Sequence, residues 1–286
     1  MNFLIADSGS TKTDWIFIDE DGHKIPFHTE GLNPYYHTRE SVRQIVESKL
    51  NSISAMTHVS NVYFYGSGCT DQNKNKVISQ ALCDLFGENV KTEINSDLVG
   101  AARACCGENE GIACILGTGS NSCVYDGEKI IDHIPPLGFI LGDEGSGAHI
   151  GKRIIQSYYY REMPQDLKRE LEKRYNMSRP VILENIYNKP HANRFVSEFS
   201  RFGSEFKEHP FIINLIKISF TEFIDRQIIN YNQCHDLEIS FVGSIAFFYK
   251  HLLEEILTSK ALKLGKVIQS PMEELINYHQ NKVNKQ

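Results

Sequence analysis

The chain has 286 residues, 41% hydrophobic and 23% charged, proportions that argue against a disordered protein and suit about two globular domains. Thirty basic side chains against thirty-six acidic ones leave a net charge of −6, with no basic surplus to coat a nucleic acid or an anionic membrane. A local phosphate site stays open, and no run approaches the ~18 apolar residues of a membrane span.

The opening MNFLIADSGS has no basic n-region and turns polar by position 7, so a secretory leader is not expected. Seven cysteines (Cys69, Cys83, Cys105, Cys106, Cys114, Cys123, Cys234) are odd in number and irregular in spacing. That usage fits a reducing, cytoplasmic setting in which cysteine serves as a small buried hydrophobe.

Strands with tight turns are expected at Asn2–Ala6, Trp15–Asp19 and Lys24–Thr29. Arg39–Leu50 has a helical period, with Val42, Ile45, Val46 and Leu50 on one face. A strand (Asn61–Tyr65), a helix (Asn75–Phe86), a strand (Val90–Ile94) and a small-residue helix (Leu98–Cys105) follow. The order then repeats, with strands at Ile112–Leu116, Asn121–Tyr125 and Lys129–Ile134 and a glycine-rich loop from Gly138 to Gly147. A helical region over about 148–231 is cut by Pro164, Pro180, Pro190 and Pro210. A strand (Glu238–Val242), a helix (Phe247–Leu257), a short strand (Lys266–Ile268) and a last helix from Met272 complete the pattern. Two α/β lobes facing across a cleft are the expected layout: 1–106 as the first lobe, with 272–286 packed on it, and 107–271 as a larger second lobe.

Five short segments carry chemistry. Asp7-Ser8-Gly9-Ser10-Thr11-Lys12-Thr13 lies in a turn between strands; small residues let backbone N–H groups approach an anion, with hydroxyls and a lysine beside them. Asp7 at the strand end is a candidate Mg²⁺ ligand, directly or through water. Gly117-Thr118-Gly119-Ser120-Asn121 repeats these donors in the matching turn of the second half, and the pair could clamp a polyphosphate. Each turn alone also reads as a plain polar hairpin. Gly142-Asp143-Glu144-Gly145-Ser146-Gly147 enters a helix, where its acids could orient sugar hydroxyls or simply cap the helix. Asn95-Ser96-Asp97 also starts a helix; Asp97 is either an N-cap or a general base taking a hydroxyl proton during phosphoryl transfer. Gly243-Ser244 follows a strand and could admit a nucleotide base or ribose.

Other patterns fail. Gly151-Lys152 is followed by Arg153 where a Walker A loop requires Ser or Thr. The histidines show no ligand pairing, and His133, His149 and His251 read as surface or capping residues.

These segments together (DSGSTKTD at 7–14, GLNP at 31–34, NSDLVGAA at 95–102, ILGTGSNS at 115–122, GDEGSG at 142–147, FVGSIA at 241–246) resemble the N-acetylglucosamine kinase-like branch of the BadF/BadG/BcrA/BcrD ATPase family, in the actin/Hsp70/hexokinase superfamily. The resemblance runs from residue 3 to about 260. It implies two ribonuclease H-like (actin-like) lobes, each a mixed sheet flanked by helices. It implies an ATP- and Mg²⁺-dependent kinase acting on O6 of an amino sugar, N-acetylglucosamine foremost, and a homodimer. Asp97 would be the base. Asp7, Gly9, Ser10, Thr11, Lys12, Thr13, Gly117, Thr118, Gly119, Gly203, Gly243 and Ser244 would meet the nucleotide. Asn33, Gly68, Ser120, Asn121, Gly142, Asp143 and Glu144 would meet the sugar. Leu137 stands where the family carries a stacking tryptophan. Alternatives within reach of the same motifs are an ATPase that activates a dehydratase through an iron–sulfur cluster and a nucleotide- or sugar-binding protein without turnover.

Overall fold

The structure is a computed structural model that describes residues 2–50 and 58–284. Met1, 51–57 and 285–286, all inside the expected first-lobe ranges, lie outside the described residues. The chain divides into two compact units, Met1–Gly107 with Pro271–Gln286, and Glu108–Ser270.

In the first unit β1 (Phe3–Ser8), β2 (Lys12–Ile18) and β3 (Lys24–Glu30) form an antiparallel meander. β4 (Asn61–Gly66) and β5 (Lys91–Ser96) extend the sheet in parallel beyond β1, giving the order β3-β2-β1-β4-β5. β1 is central, so Phe3, Leu4, Ile5 and Ala6 are all buried and the run reads as continuously apolar. β2 alternates instead, burying Thr13, Trp15 and Phe17. The Trp15 ring stacks on Phe27 with centroids 5.6 Å apart, and its ring N–H donates to Thr29 Oγ1 at 3.0 Å, so the indole is buried with its donor satisfied.

Helices α1 (Arg39–Leu50), α2 (Gln72–Phe86) and α3 (Asp97–Cys106) cover this sheet. α2 starts three residues before its expected start because the Asp71 side chain accepts from the Asn73 and Lys74 amides. The last helix, α12 (Met272–Asn284, numbered last in chain order), packs on α3 and β1. Burial pushes the His279 imidazole down to about 3, so the ring stays neutral. It accepts at Nε2 from the Tyr65 hydroxyl at 2.7 Å, and that hydroxyl accepts from Arg103 at 2.8 Å.

The second unit repeats the topology. β6 (Glu110–Leu116), β7 (Ser120–Asp126) and β8 (Ile130–Asp132) form the meander, and β9 (Glu238–Val242) and β10 (Lys263–Ile268) extend it in parallel, giving β10-β9-β6-β7-β8. Each unit is thus a ribonuclease H-like lobe with a five-stranded mixed sheet. β10 begins earlier than its apolar pattern suggests: Lys263 and Lys266 mark an edge strand, and Gly265 sits in an irregular register where a Cβ would collide with Ser240 Oγ.

Between β8 and β9 lie α4 (Gly138–Leu141), α5 (Gly147–Tyr159), α6 (Gln165–Arg174), α7 (Arg179–Tyr187), α8 (Ala192–Glu205) and α9 (Pro210–Phe223), the last continuing into a π-helical turn, Ile224–Ile228. Pro180 and Pro210 occupy first-turn positions of α7 and α9, where a missing N–H costs no helical bond. The expected helix over Phe247–Leu257 is two pieces, α10 (Ser244–Phe248) and α11 (Lys250–Ser259), with Tyr249 between them, buried and bonding Ser204 at 3.4 Å. Among the described residues no helix is long and apolar enough to cross a membrane.

α5 and α8 cross in backbone contact. Gly151 makes this possible, because a Cβ there would collide with the Val196 carbonyl oxygen. Backbone cannot step aside as a side-chain tip can, so Gly151→Ala is expected to lower stability by about 2 kcal/mol or more through overpacking. A urea unfolding midpoint within error of wild type would overturn this account of the crossing.

Candidate functional site

In the first unit the candidate residues gather at the carboxyl ends of β1, β4 and β5. Asp7 pairs across with Tyr65 of β4, and Tyr65 with Asn95 of β5, which places Asp7, the 66–68 turn and Asp97 along one edge. Ser96 caps α3 by accepting from the Val99 amide at 3.3 Å, so the cap is Ser96 and not Asp97. Asp97 is the first helical residue, and its carboxylate accepts from the Leu98 amide at 2.9 Å. Loss of water pushes this carboxyl up to about 6 against the pull of the backbone donors. Asp7 is pushed to about 7 by loss of water, then by Asp97 and Asp14, with Lys12 opposing. Among the described residues neither Asp7 nor Asp97 forms an ion pair. In the β1–β2 turn the Gly9 amide donates to Lys12 O at 3.0 Å.

Two of the expected nucleotide contacts have side-chain partners within the chain. Thr13 is fully buried; its hydroxyl bonds Ser8 Oγ at 2.8 Å and donates to Glu30 O at 3.0 Å, which fastens β2. Lys12 Nζ is paired with Asp14 at 2.9 Å, and Asp14 also takes His28 Nδ1 at 2.6 Å. The period-2 spacing of Lys12 and Asp14 on one strand face is the signal that could have shown this pair. Gly9 and Thr11 remain exposed. Gly68, at φ 85, lies against Asn33: a Cβ there would stand 2.6 Å from Asn33 Oδ1, so these two candidate sugar residues are neighbours.

In the second unit the Gly117–Gly119 turn follows β6 as the Gly9–Thr11 turn follows β1. The first amides of α5 bond it: Gly147 N–H donates to Gly117 O at 2.8 Å and Ala148 N–H to Thr118 O at 3.0 Å. Ser146 caps α5, accepting from the His149 amide at 3.2 Å, so the acids Asp143 and Glu144 do not cap it. Asp143 has φ 58, a left-handed backbone uncommon outside glycine. Its Oδ1 accepts from the Ser120 amide at 3.3 Å, and loss of water raises its carboxyl above the usual range. Gly243, at φ 125, lets β9 end against Leu116; a Cβ would collide with the Leu116 carbonyl oxygen. Ser244 beyond it is exposed.

Gly203 stands apart from these: it is buried within α8, facing Tyr249, Ile154 and Ile212 in the core. His149 is not a surface or capping group. It is buried, its Nδ1 lies 2.7 Å from Ser219 Oγ, and burial beside Arg153 pushes it down to about 4. Among the described residues the single convergence of three metal-ligating side chains is Asp19, Asp21 and His23 in the β2–β3 turn, away from Asp7.

No family model matches the chain. It is 26% identical over 169 residues to an N-acetyl-D-glucosamine kinase of Dictyostelium discoideum, covering 54% of this chain and 53% of that protein, so the match spans about half the length of the curated relative. A glucokinase of the ROK family from Streptomyces griseus, solved with glucose and AMPPNP, shares the fold at a TM-score of 0.57 with 12% identity, covering 97% of this chain and 98% of that one. A candidate N-acetylglucosamine kinase from Porphyromonas gingivalis superposes with a TM-score of 0.92 and 42% identity, covering 98% of this chain and 99% of that one. At that identity over nearly the whole of both chains, the protein belongs to the family of N-acetylglucosamine kinase-like proteins with the actin-like sugar-kinase fold.

Proposed function

We propose that the chain is an ATP-dependent sugar kinase that transfers the γ-phosphoryl group to O6 of an N-acetylated hexosamine, N-acetylglucosamine foremost. The observation that carries the reading is Asp97: a carboxylate raised to about 6 at the edge of the parallel strands, beside Asp7 and without a cation partner among the described residues. A general base works best when its pKa lies near the operating pH. Asp97 accepts the hydroxyl proton as the acceptor oxygen bonds to γ-phosphorus; the bond to the bridging oxygen breaks and its electrons leave with ADP. Backbone amides of the Gly9–Thr11 and Gly117–Gly119 turns, with Thr11 and Thr118, serve the phosphates. Asn33, Gly68, Asn121 and Asp143 serve the sugar. Asp7 fits a magnesium ion, because two neighbouring carboxylates that resist ionisation favour a dication. Mg²⁺ there supplies charge that neutralises the phosphate oxygens. Leu137, 65% exposed, offers an aliphatic face where the family has a tryptophan, so the acyl group of the sugar is the part to vary.

The direct test is ADP release across N-acetylated sugars, amino sugars and plain hexoses. N-acetylglucosamine is expected to turn over fastest, and Asp97→Asn to lose about 10²- to 10⁴-fold in kcat with an unchanged circular dichroism spectrum. Near-wild-type turnover by the Asn variant would remove Asp97 from the mechanism. Turnover of no sugar would remove the reading itself.

Asp7 allows a test without substrate. Its folded-state pKa of about 7 lies above the unfolded value of 3.8, so its stabilising contribution is complete at low pH and is lost as pH rises through 7. Asp7→Asn carries no such cost. It should therefore unfold later than wild type at pH 8, by on the order of 2 kcal/mol after allowance for solvent, with the gap closing toward pH 4. A gap that does not change with pH would contradict the electrostatic account of this edge.

A further inference from the structure

The turn bearing Asp143 is held by a segment that no candidate motif includes. Glu144 is buried at 6% exposure, and its carboxylate accepts from the Arg226 guanidinium at 2.8 Å. Arg226 lies in the π-helical turn Ile224–Ile228, closed by the Ile229 amide donating to Ile224 O at 3.0 Å. Such turns are rare, and they concentrate at functional sites. Just before it, Phe223 packs over Gly145: a Cβ on Gly145, at φ 75, would sit 2.9 Å from the Phe223 side chain. Just after it, the Tyr231 hydroxyl donates to Ser122 O at 2.9 Å, and Gln227 within it accepts from Ser122 Oγ at 3.2 Å. One stretch, Phe223–Tyr231, therefore grips both the Asp143–Ser146 turn and the start of β7, which carries Ser120 and Asn121.

We propose that Arg226 is a positioning residue for the acceptor sugar: by neutralising buried Glu144 it fixes the backbone that aims Asp143. Glu144 then anchors the turn and does not contact the sugar. The proposal rests on the reading of Asp143 as a sugar ligand. An exposed ion pair would contribute little, but here one partner is buried, and removing Arg226 leaves a buried carboxylate uncompensated. Glu144 must then move toward water, carrying with it a neighbour already held in a left-handed backbone.

Full-length Arg226→Gln and Arg226→Lys separate positioning from bulk stability. Arg226→Gln is expected to raise KM for N-acetylglucosamine about tenfold, the equivalent of one lost charged contact, with KM for ATP within about twofold. Amide exchange should quicken at 143–148 and not in the β6–β9 core, and Arg226→Lys should recover most of both effects. Unchanged exchange and KM would overturn the proposal. So would a parallel rise in both KM values with a lowered Tm, because that pattern reports general destabilisation. Wild-type protein that phosphorylates no sugar overturns the kinase reading, whereas wild-type turnover with an unaltered Gln variant overturns only the role of Arg226.

Discussion

Two carboxylates that resist ionisation together set the terms for the first unit. Parallel β1, β4 and β5 bring Asp7 and Asp97 to the same edge of the sheet. Neither forms an ion pair among the described residues, and the nearby cation Lys12 is engaged by Asp14. Folding thus leaves an electrostatic imbalance at this place. A dication or a proton would settle that imbalance. The parallel register that makes the sheet is also what brings the two carboxylates together.

The two units reach the same topology with little shared sequence. In each, a meander turns at small residues, and a parallel strand beside the first strand ends in a glycine at positive φ: Gly68 after β4 and Gly243 after β9. These positions are closed to larger residues for different reasons. Gly68 faces the Asn33 side chain, whereas Gly243 faces the Leu116 carbonyl oxygen. A flexible side chain can yield, but main chain already committed to a strand cannot, so the second unit tolerates less change at its turn.

Legibility in the sequence followed periodicity and turn chemistry. The meanders, the parallel strands and the proline-cut helices of the second unit were visible because apolar runs and breakers announce them. Edge strand β10 was shortened because Lys263 and Lys266 conceal a strand whose backbone pairs on one side only. Asp97, Asp143 and the two turns stand where spacing marks candidates, each at a strand end or helix start. The burial of Thr13 was not legible, because a hydroxyl in a Gly/Ser/Thr turn looks the same in sequence whether it is open to solvent or bonded, as here, to Ser8 and Glu30. His149 was misjudged because its partners, Ser219 and Glu222, lie about seventy positions away. Arg226 lay beyond reach for the same reason: an arginine in a helical stretch has no local mark that it will meet Glu144, 82 positions earlier.

The closing of the first unit by α12 has a consequence in time. Residues 1–107 and 271–286 make one compact body, with His279 seated on Tyr63 and Tyr65, yet everything between them belongs to the other body. A ribosome delivers α12 only after the whole second unit has emerged. The second unit, continuous in sequence, can mature during translation. The first must wait with the faces of β1 and α3 that α12 covers left bare until that helix arrives, an interval in which a nascent chain exposes apolar surface.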